Sequence, residues 1–360
     1  MKPRRFAIAA GLIAVLAAGL VLRDNIFWLR VLTFALLLSA VAQSWNLLAG
    51  YAGQWSLAQL AFLGVGAYAV GVLEMRLHVP LLPGAVIAVA LTALFAAGVG
   101  YVTLRITGHY FAVVTFFLTM SLFELVRYFA DYTGGQYGLS LSFRPGTDLL
   151  MLQFETQTAY YYLAVFVMLI ATATLWVISR SRFGLLLNAI RDDEGAAAAL
   201  GVRVLALKVA AMAISAAMAA LAGVAYLATY KLIDAETAFG IHNSLDPVVA
   251  GILGGAGTLL GGVVGEFILQ PVVAQVNVEF GSIAGIAALL YGVILMLVIL
   301  LIPQGVLRLS RPRGAGPRVA LWRARFLRPS SVSRNRSAVS QAVEAESQPS
   351  PEAGGKVGRT

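Results

Sequence analysis

The sequence predicts an all-α polytopic membrane protein with about eight full transmembrane helices and one re-entrant pair of short, glycine-rich helices. Three observations carry this. Of the 360 residues, 59% are apolar and 12% charged, and the mean hydropathy of +0.83 lies outside the range of soluble domains. The apolar residues fall in runs of about twenty, the length that spans a bilayer's hydrocarbon. The charge is also partitioned: eleven basic and three acidic residues follow Ile302, a surplus of eight out of the net +9. Residues 1–302 therefore read as a membrane domain and 303–360 as a basic cytoplasmic tail.

Lys2, Arg4 and Arg5 precede an apolar run, Phe6 to Leu22, which fits a first span starting in the cytoplasm. A cleaved signal peptide is the competing reading, because Ala17, Ala18 and Gly19 are small. Either way the chain emerges outside at Arg23 and Asp24. A second span runs from about Ile26 to Ala49. The next stretch, Gly50 to Leu73, repeats glycine or alanine at 53, 64, 67 and 71, roughly helical spacing that leaves one helix face nearly bare backbone. Plain small-residue packing explains that face. Gln54, Ser56, Gln59 and Tyr68 are nevertheless poor residues for lipid, so Gly53, Gln54, Ser56, Gly64 and Tyr68 are candidates for a translocation path.

Leu81 to Thr103 returns inward to Arg105, and His109 to Phe129 goes outward. The latter carries Glu124 and Arg127, three residues apart and hence neighbours on a helix. An ionisable group inside a span is expensive unless paired or wet, so a structural ion pair and a role beside a solute path both fit. Ala130 to Thr158 is more polar, with turns marked by Gly134, Gly135, Gly138, Pro145 and Gly146. Such loops suit either a partner protein or a solvated linker. Tyr160 to Ile178 brings the chain back, its three tyrosines, Tyr160 to Tyr162, placed as an interfacial aromatic belt.

Ser179 to Lys208 sets Arg180, Arg182, Arg191, Arg203 and Lys208 against Asp192, Asp193 and Glu194. So charged a stretch between two spans belongs in water, on the cytoplasmic side. RFGLLLNAIRDD has apolar residues at helical spacing, and Ala196 to Ala199, closed by Leu200 and Gly201, reads as a second short helix.

Leu207 to Tyr230 leads outward again. If Asp246 to Leu269 and then Ile283 to Ile302 each crossed fully, the arginine-rich tail would lie outside, against the positive-inside rule. The glycine-rich segment is therefore expected to dip in and return, broken near Gly254 and Gly255. Broken helices at membrane depth need protein or a water-filled path to satisfy their freed backbone groups. That makes Ser244, Asp246, Gly254 and Gly255 a second candidate path. Ser56-Leu57 before Gly64, and Ser244-Leu245 before Gly254, have the spacing of a decayed repeat. Past Pro303, nine arginines between Arg308 and Arg336 with few apolar residues predict a mostly disordered tail. Its ALWRARFLR segment suits anionic headgroups, and its basicity reads as membrane-surface lipid contact, not nucleic-acid binding.

Much chemistry is excluded. There is no cysteine, and His78, His109 and His242 are scattered. GGAGTLLGG has no following Lys-Ser or Lys-Thr to cradle a nucleotide's phosphates. No catalytic constellation appears. Glu124, Asp246 and Glu266 are too sparse for a proton relay, so the chain reads as a transport component that cannot power itself.

Three ordered motifs carry a resemblance. The first is Gly50, Tyr51, Ala52, Gly53, Gln54, Ser56 and Leu57, followed by Ala61, Phe62, Gly64, Gly66, Ala67 and Tyr68. The second is LRITGHYFAVVTFFLTMSLFELVRYFADYTGGQYGL, and the third is the Ser179 to Lys208 loop. Together they resemble the branched-chain amino acid ABC permeases of the LivM type, from about Gly50 to Gly305. The resemblance implies an ABC importer permease fold, with residues 179–208 as the coupling loop on which ATPases dock. Arg182, Gly184, Arg191, Glu194, Ala196, Ala197 and Gly201 are the implied docking residues. The family's acid stands one position early, at Glu194, with Gly195 in its place. It further implies a LivH-type sister permease, two ABC ATPase subunits and a periplasmic binding protein that delivers leucine, isoleucine or valine. No cofactor is expected on this chain, ATP and Mg2+ belonging to the partner subunits. The implied location is a bacterial inner membrane with both termini cytoplasmic. Relatives of these permeases also carry other amino acids, short amides and urea. The alternative is an ion-gradient-driven secondary transporter of a small neutral solute, using Glu124, Asp246 or Glu266.

Overall fold

The computed structural model describes residues 2–106, 108–141 and 146–281, together with 285, 289, 290, 292, 293, 296 and 305–309. All of the tail but residues 305–309, and most of the expected last span from Ile283 to Ile302, fall outside the described residues.

The chain forms α1 (Lys2–Val21), α2 (Ile26–Trp45) with a π-helical turn (Asn46–Tyr51), α3 (Gln59–Leu77), α4 (Leu81–Thr103), α5 (His109–Tyr128) and the short α6 (Ala130–Thr133). After strand β1 (Leu139–Ser140) come α7 (Gln157–Arg180), α8 (Arg182–Asp192), α9 (Glu194–Ala199) and α10 (Val204–Tyr230). Strand β2 (Leu232–Ile233) leads to α11 (Ala235–Phe239), α12 (Ile241–Gly254) and α13 (Gly261–Phe280). Among the described residues, six helices are long and apolar enough to cross a membrane: α2 with its π turn, α3, α4, α5, α7 and α10.

The bundle is organised on α2. Every residue from Ala35 to Ala52 is buried, as expected of a helix whose apolar and small residues run all round it, with buried Gln43, Ser44 and Asn46 among its polar exceptions. It packs against α7, α10, α12 and α13. Phe34 meets Tyr226 and Tyr230 near one end of α10, while Ser215, early in α10, donates to the Ser44 carbonyl at 2.7 Å. The two helices are thus antiparallel. One end of the bundle carries the antiparallel strands β1 and β2, with Leu139 opposite Ile233. The other end carries the elbow formed by α8 and α9.

Two expectations are corrected. Gly50 to Leu73 is not one helix: α2 widens into its π turn, residues 52–58 are irregular, and α3 starts only at Gln59. Gly53 therefore lies on no helix face, and its φ of +70° fits glycine. Tyr160 and Tyr161 form no lipid-facing belt, because both are buried. Tyr161 donates its hydroxyl to the Val15 carbonyl at 2.6 Å, Tyr162 donates to Leu16 at 3.2 Å, and the Tyr160 hydroxyl accepts from Phe154 N–H at 3.0 Å. A phenol at a helix–helix seam needs such a partner, and here two of the three fasten α1 to α7.

Candidate functional site

The elbow is built by two local caps. Ser181 accepts from the Gly184 N–H at 3.2 Å and starts α8, and Asp193 accepts from the Ala196 N–H at 2.9 Å and starts α9. Gly184 lies so close to the Ile178 carbonyl that a Cβ would overlap it. Gly201, at φ +83°, closes α9 as expected. Gly184, Leu187 and Ile190 turn inward, whereas Leu185 is 71% exposed and Leu200 86% exposed.

Two contacts fasten the elbow to the bundle. Arg191 Nη1 donates to the Gly50 carbonyl at 2.7 Å, while Asp192 holds the same guanidinium at 3.1 Å. Lys208, expected in the watery loop, is instead fully buried in α10 and bonded to Glu194 Oε2 at 2.6 Å. A buried ammonium needs a carboxylate beside it. Glu194, 38% exposed, is that partner, so it faces the bundle at least as much as the exterior. Of the expected docking residues, Arg182, Ala196 and Gly201 are exposed, Gly184 and Ala197 are buried, and Arg191 and Glu194 are tied inward.

The helix break falls where expected. α12 ends at Gly254, and Gly255 takes φ +113°. α12 and α13 then approach until a Cβ on Gly254 would overlap the Gly261 carbonyl, and one on Gly265 the Ala250 carbonyl. The freed backbone is satisfied by α2 and its π turn. Asn46 accepts from Gly257 N–H at 2.7 Å through Oδ1 and donates to the Thr258 carbonyl at 2.6 Å through Nδ2. Gln43 Nε2 donates to the Leu259 carbonyl at 2.8 Å. Protein groups therefore satisfy three backbone groups at this break. Gly305 packs directly on Gly255.

The path candidates are spread over the loop before α3, α3 itself, α5 and α12. Gln54 is buried, with Nε2 3.3 Å from the Ala52 carbonyl, and buried Ser56 Oγ accepts from Ala58 N–H at 3.2 Å. Gly64 packs on Ala238 and Phe239, and Tyr68 stacks on Phe239 with centroids 6.0 Å apart. Ser244 donates to the Gly240 carbonyl at 2.9 Å inside α12, whereas Ser56 precedes α3, so the two halves of the suspected repeat differ in local structure. Asp246 on α12 is near enough for its charge to act on fully buried Glu266 of α13. Glu124 and Arg127 pair at 3.3 Å on an outer face of α5, their side chains 69% and 44% exposed. Among the described residues no group of three or more His, Asp or Glu could hold a metal ion.

Asn46, Gln43 and Leu185 went unremarked in the sequence, and Leu200 was read only as part of a helix end. The signal for the first two was present: QSWN places three polar residues in an otherwise apolar span, and polar groups at membrane depth mark built interactions.

Residues 27–302 match the family model described as branched-chain amino acid transport system / permease component. The high-affinity branched-chain amino acid transport system permease protein LivM of Escherichia coli (strain K12) is 25% identical over 338 residues, covering 87% of this chain and 77% of the relative. LivM of Salmonella typhimurium gives the same identity and coverage. The autoinducer 2 import system permease protein LsrC of Yersinia pestis (strain Pestoides F) is 32% identical over 109 residues, 29% of this chain and 31% of the relative. No solved structure matches. With a buried hub helix, six helices among the described residues long and apolar enough to cross a membrane, and a family match over most of its length, this chain belongs to the permease components of branched-chain amino acid transport systems, a multi-pass membrane protein and not an enzyme.

Proposed function

We propose that the chain is one of two permeases of a bacterial inner-membrane ABC importer for branched-chain or similar small hydrophobic amino acids. Two separate ATPase subunits, carrying ATP and Mg2+, dock on the α8–α9 elbow. The observation that carries this is the exposure of Leu185 and Leu200 on a charged segment between two spans. Apolar side chains on a surface that faces neither lipid nor core mark an interface. On this reading the elbow end is cytoplasmic, both termini lie there, and the β1–β2 end receives a periplasmic binding protein. α12 and α13 act as the re-entrant pair: their break lies beside Asn46 and Gly50, at the elbow end, so the hairpin returns to the side it came from.

The sister permease meets α5. This helix packs mainly on α11 within its own chain, and it presents Glu124 with Arg127 on an uncovered face. A half-exposed ion pair there is better placed against a partner and a wet path than against lipid. ATP-driven closure of the ATPases pushes the elbow. Arg191, Gly50 and Asn46 are contiguous contacts from it to the α12–α13 break.

The test is co-purification. The tagged chain, solubilised gently, should bring ATPase subunits with it, and Leu185→Glu/Leu200→Glu should lose them while keeping the sister permease. Retention of the ATPases by that variant would remove the elbow from the docking surface.

A second reading has one observation in its favour: Glu266 is fully buried, with Asp246 acting on it across α12 and α13. An ion-coupled transporter would use this pair. Uptake by the chain without ATPases, abolished by an uncoupler, would establish that reading and displace the first.

A further inference from the structure

On the outside of the bundle, near the elbow end, a groove of about 650 Å³ runs between α4 and α10. Ala97 of α4 and Ala206, Ala210 and Ala213 of α10 form its walls, and Tyr101 and Arg203 line it as well. The α10 alanines recur every three or four residues, so one helix face is cut back. α4 and α10 still touch on the inner side, where Gly100 lies against Met212. The groove thus has a closed floor and an open outer side. It is flanked on α4 by Leu94 and Val102, 72% and 68% exposed, as on a helix face turned to lipid, and α4 and α10 are both long and apolar enough to cross a membrane.

Its mouth is cationic. α4 ends at Thr103 and α10 starts at Val204, so both helix ends reach the interfacial depth there. Arg203 is exposed immediately before α10 and caps nothing with its side chain. Arg105 is exposed just past α4, its guanidinium 4.8 Å above the Tyr101 ring. Among the described residues neither arginine has a carboxylate in salt-bridge range. The start of α10 adds the partial positive charge of a helix N-terminus. An apolar slot in the bilayer, ending in two unpaired guanidiniums at headgroup level, matches one molecular shape: an acyl chain joined to a phosphate.

We propose that this groove binds an anionic phospholipid, with one acyl chain along the alanine face and its phosphate held by Arg105 and Arg203. The bound lipid would splint α4 to the same turns of α10 that carry Lys208. The proposal rests on the membrane placement of α4 and α10 and is independent of the solute carried.

Native mass spectrometry of the purified full chain, titrated with equal amounts of phosphatidylglycerol and phosphatidylethanolamine, tests it. The wild type should retain phosphatidylglycerol preferentially. Arg105→Gln/Arg203→Gln should lower phosphatidylglycerol affinity about thirtyfold, as expected for two basic residues beside a headgroup, and leave phosphatidylethanolamine unchanged. Ala210→Phe, which fills the slot, should remove one bound lipid of either kind while circular dichroism shows unchanged helicity. The arginine-rich tail is present in every sample, so its own attraction for lipid cancels. A phosphatidylglycerol preference unchanged by the double arginine variant, or a full lipid count in Ala210→Phe, overturns the proposal.

Discussion

Arg191 of α8 reaches across to donate to the Gly50 carbonyl at 2.7 Å, so the elbow is bolted to the π-helical end of α2 and not only to the spans that flank it. Gly50 is itself wedged against Asn46 and Gly257; a side chain there would overlap both. Arg191→Ala should therefore loosen the elbow without removing its exposed leucines. Uptake in proteoliposomes is expected to fall at least tenfold while the ATPases still co-purify. Loss of both together would mean that Arg191 serves docking itself.

Asn46 satisfies one N–H and one carbonyl at the break between α12 and α13. Leaving a buried polar group unpaired costs about 1–3 kcal/mol. Asn46→Ala should accordingly lower stability by about 2–4 kcal/mol, measured by unfolding in detergent. Asn46→Asp keeps the acceptor but sets a buried carboxyl against the Thr258 carbonyl, so near neutral pH it should be at least as unstable as the alanine variant. Near-equal stability of all three would show that the break holds itself.

For Lys208 and Glu194, removing one partner is expected to hurt more than removing both. Glu194→Gln leaves a fully buried ammonium without its counter-charge, a change that costs about 3–5 kcal/mol when both groups are buried. With Glu194 partly exposed, about 2 kcal/mol is expected here. Glu194→Gln/Lys208→Met should recover most of the loss. A double variant as unstable as the sum of the singles would deny the coupling.

Lys231, in the turn after α10, gives a pH signature. Its ammonium lies 5.4 Å over the Tyr160 ring with no hydrogen-bond partner among the described residues, and burial pushes it down from 10.5 to about 8. Between these values the unfolded chain holds a proton that the folded chain does not, so stability should rise as pH rises from about 8 toward 10.5. Lys231→Met should flatten that rise and raise the melting temperature at pH 7. An unchanged slope between pH 8 and pH 9.5 would assign the dependence to other groups.

Much of this architecture is legible in the sequence because membrane helices announce themselves by length and apolarity. The elbow was legible too, since Ser181, Asp193 and Gly201 are helix punctuation, and so was the break at Gly254 and Gly255. What misled was depth. A charged residue near a span's end reads as aqueous, yet Lys208 is buried because Glu194, fourteen positions earlier, folds back to it. Tyr160 and Tyr161 read as an interfacial belt because nothing in their own stretch reveals that α1 and the Phe154 loop cover them. The Asn46 clamp was hidden for the same reason: its partners, Gly257 and Thr258, are over two hundred residues away. The candidate path was least legible. Gln54, Ser56 and Tyr68 are polar in composition, but their surroundings are packed protein, which only the folded chain specifies.

The fastening of α1 to α7 has a consequence for how the protein is made. Val15 and Tyr161 are 146 residues apart in the chain. At about 5–20 residues per second of synthesis, α1 leaves the ribosome roughly 7–30 s before the tyrosine that will hold it. Throughout that interval its placement must depend on its own apolar length and on Lys2, Arg4 and Arg5 at its start. The basic cluster is thus a temporary mooring during biogenesis, relieved when two phenols arrive.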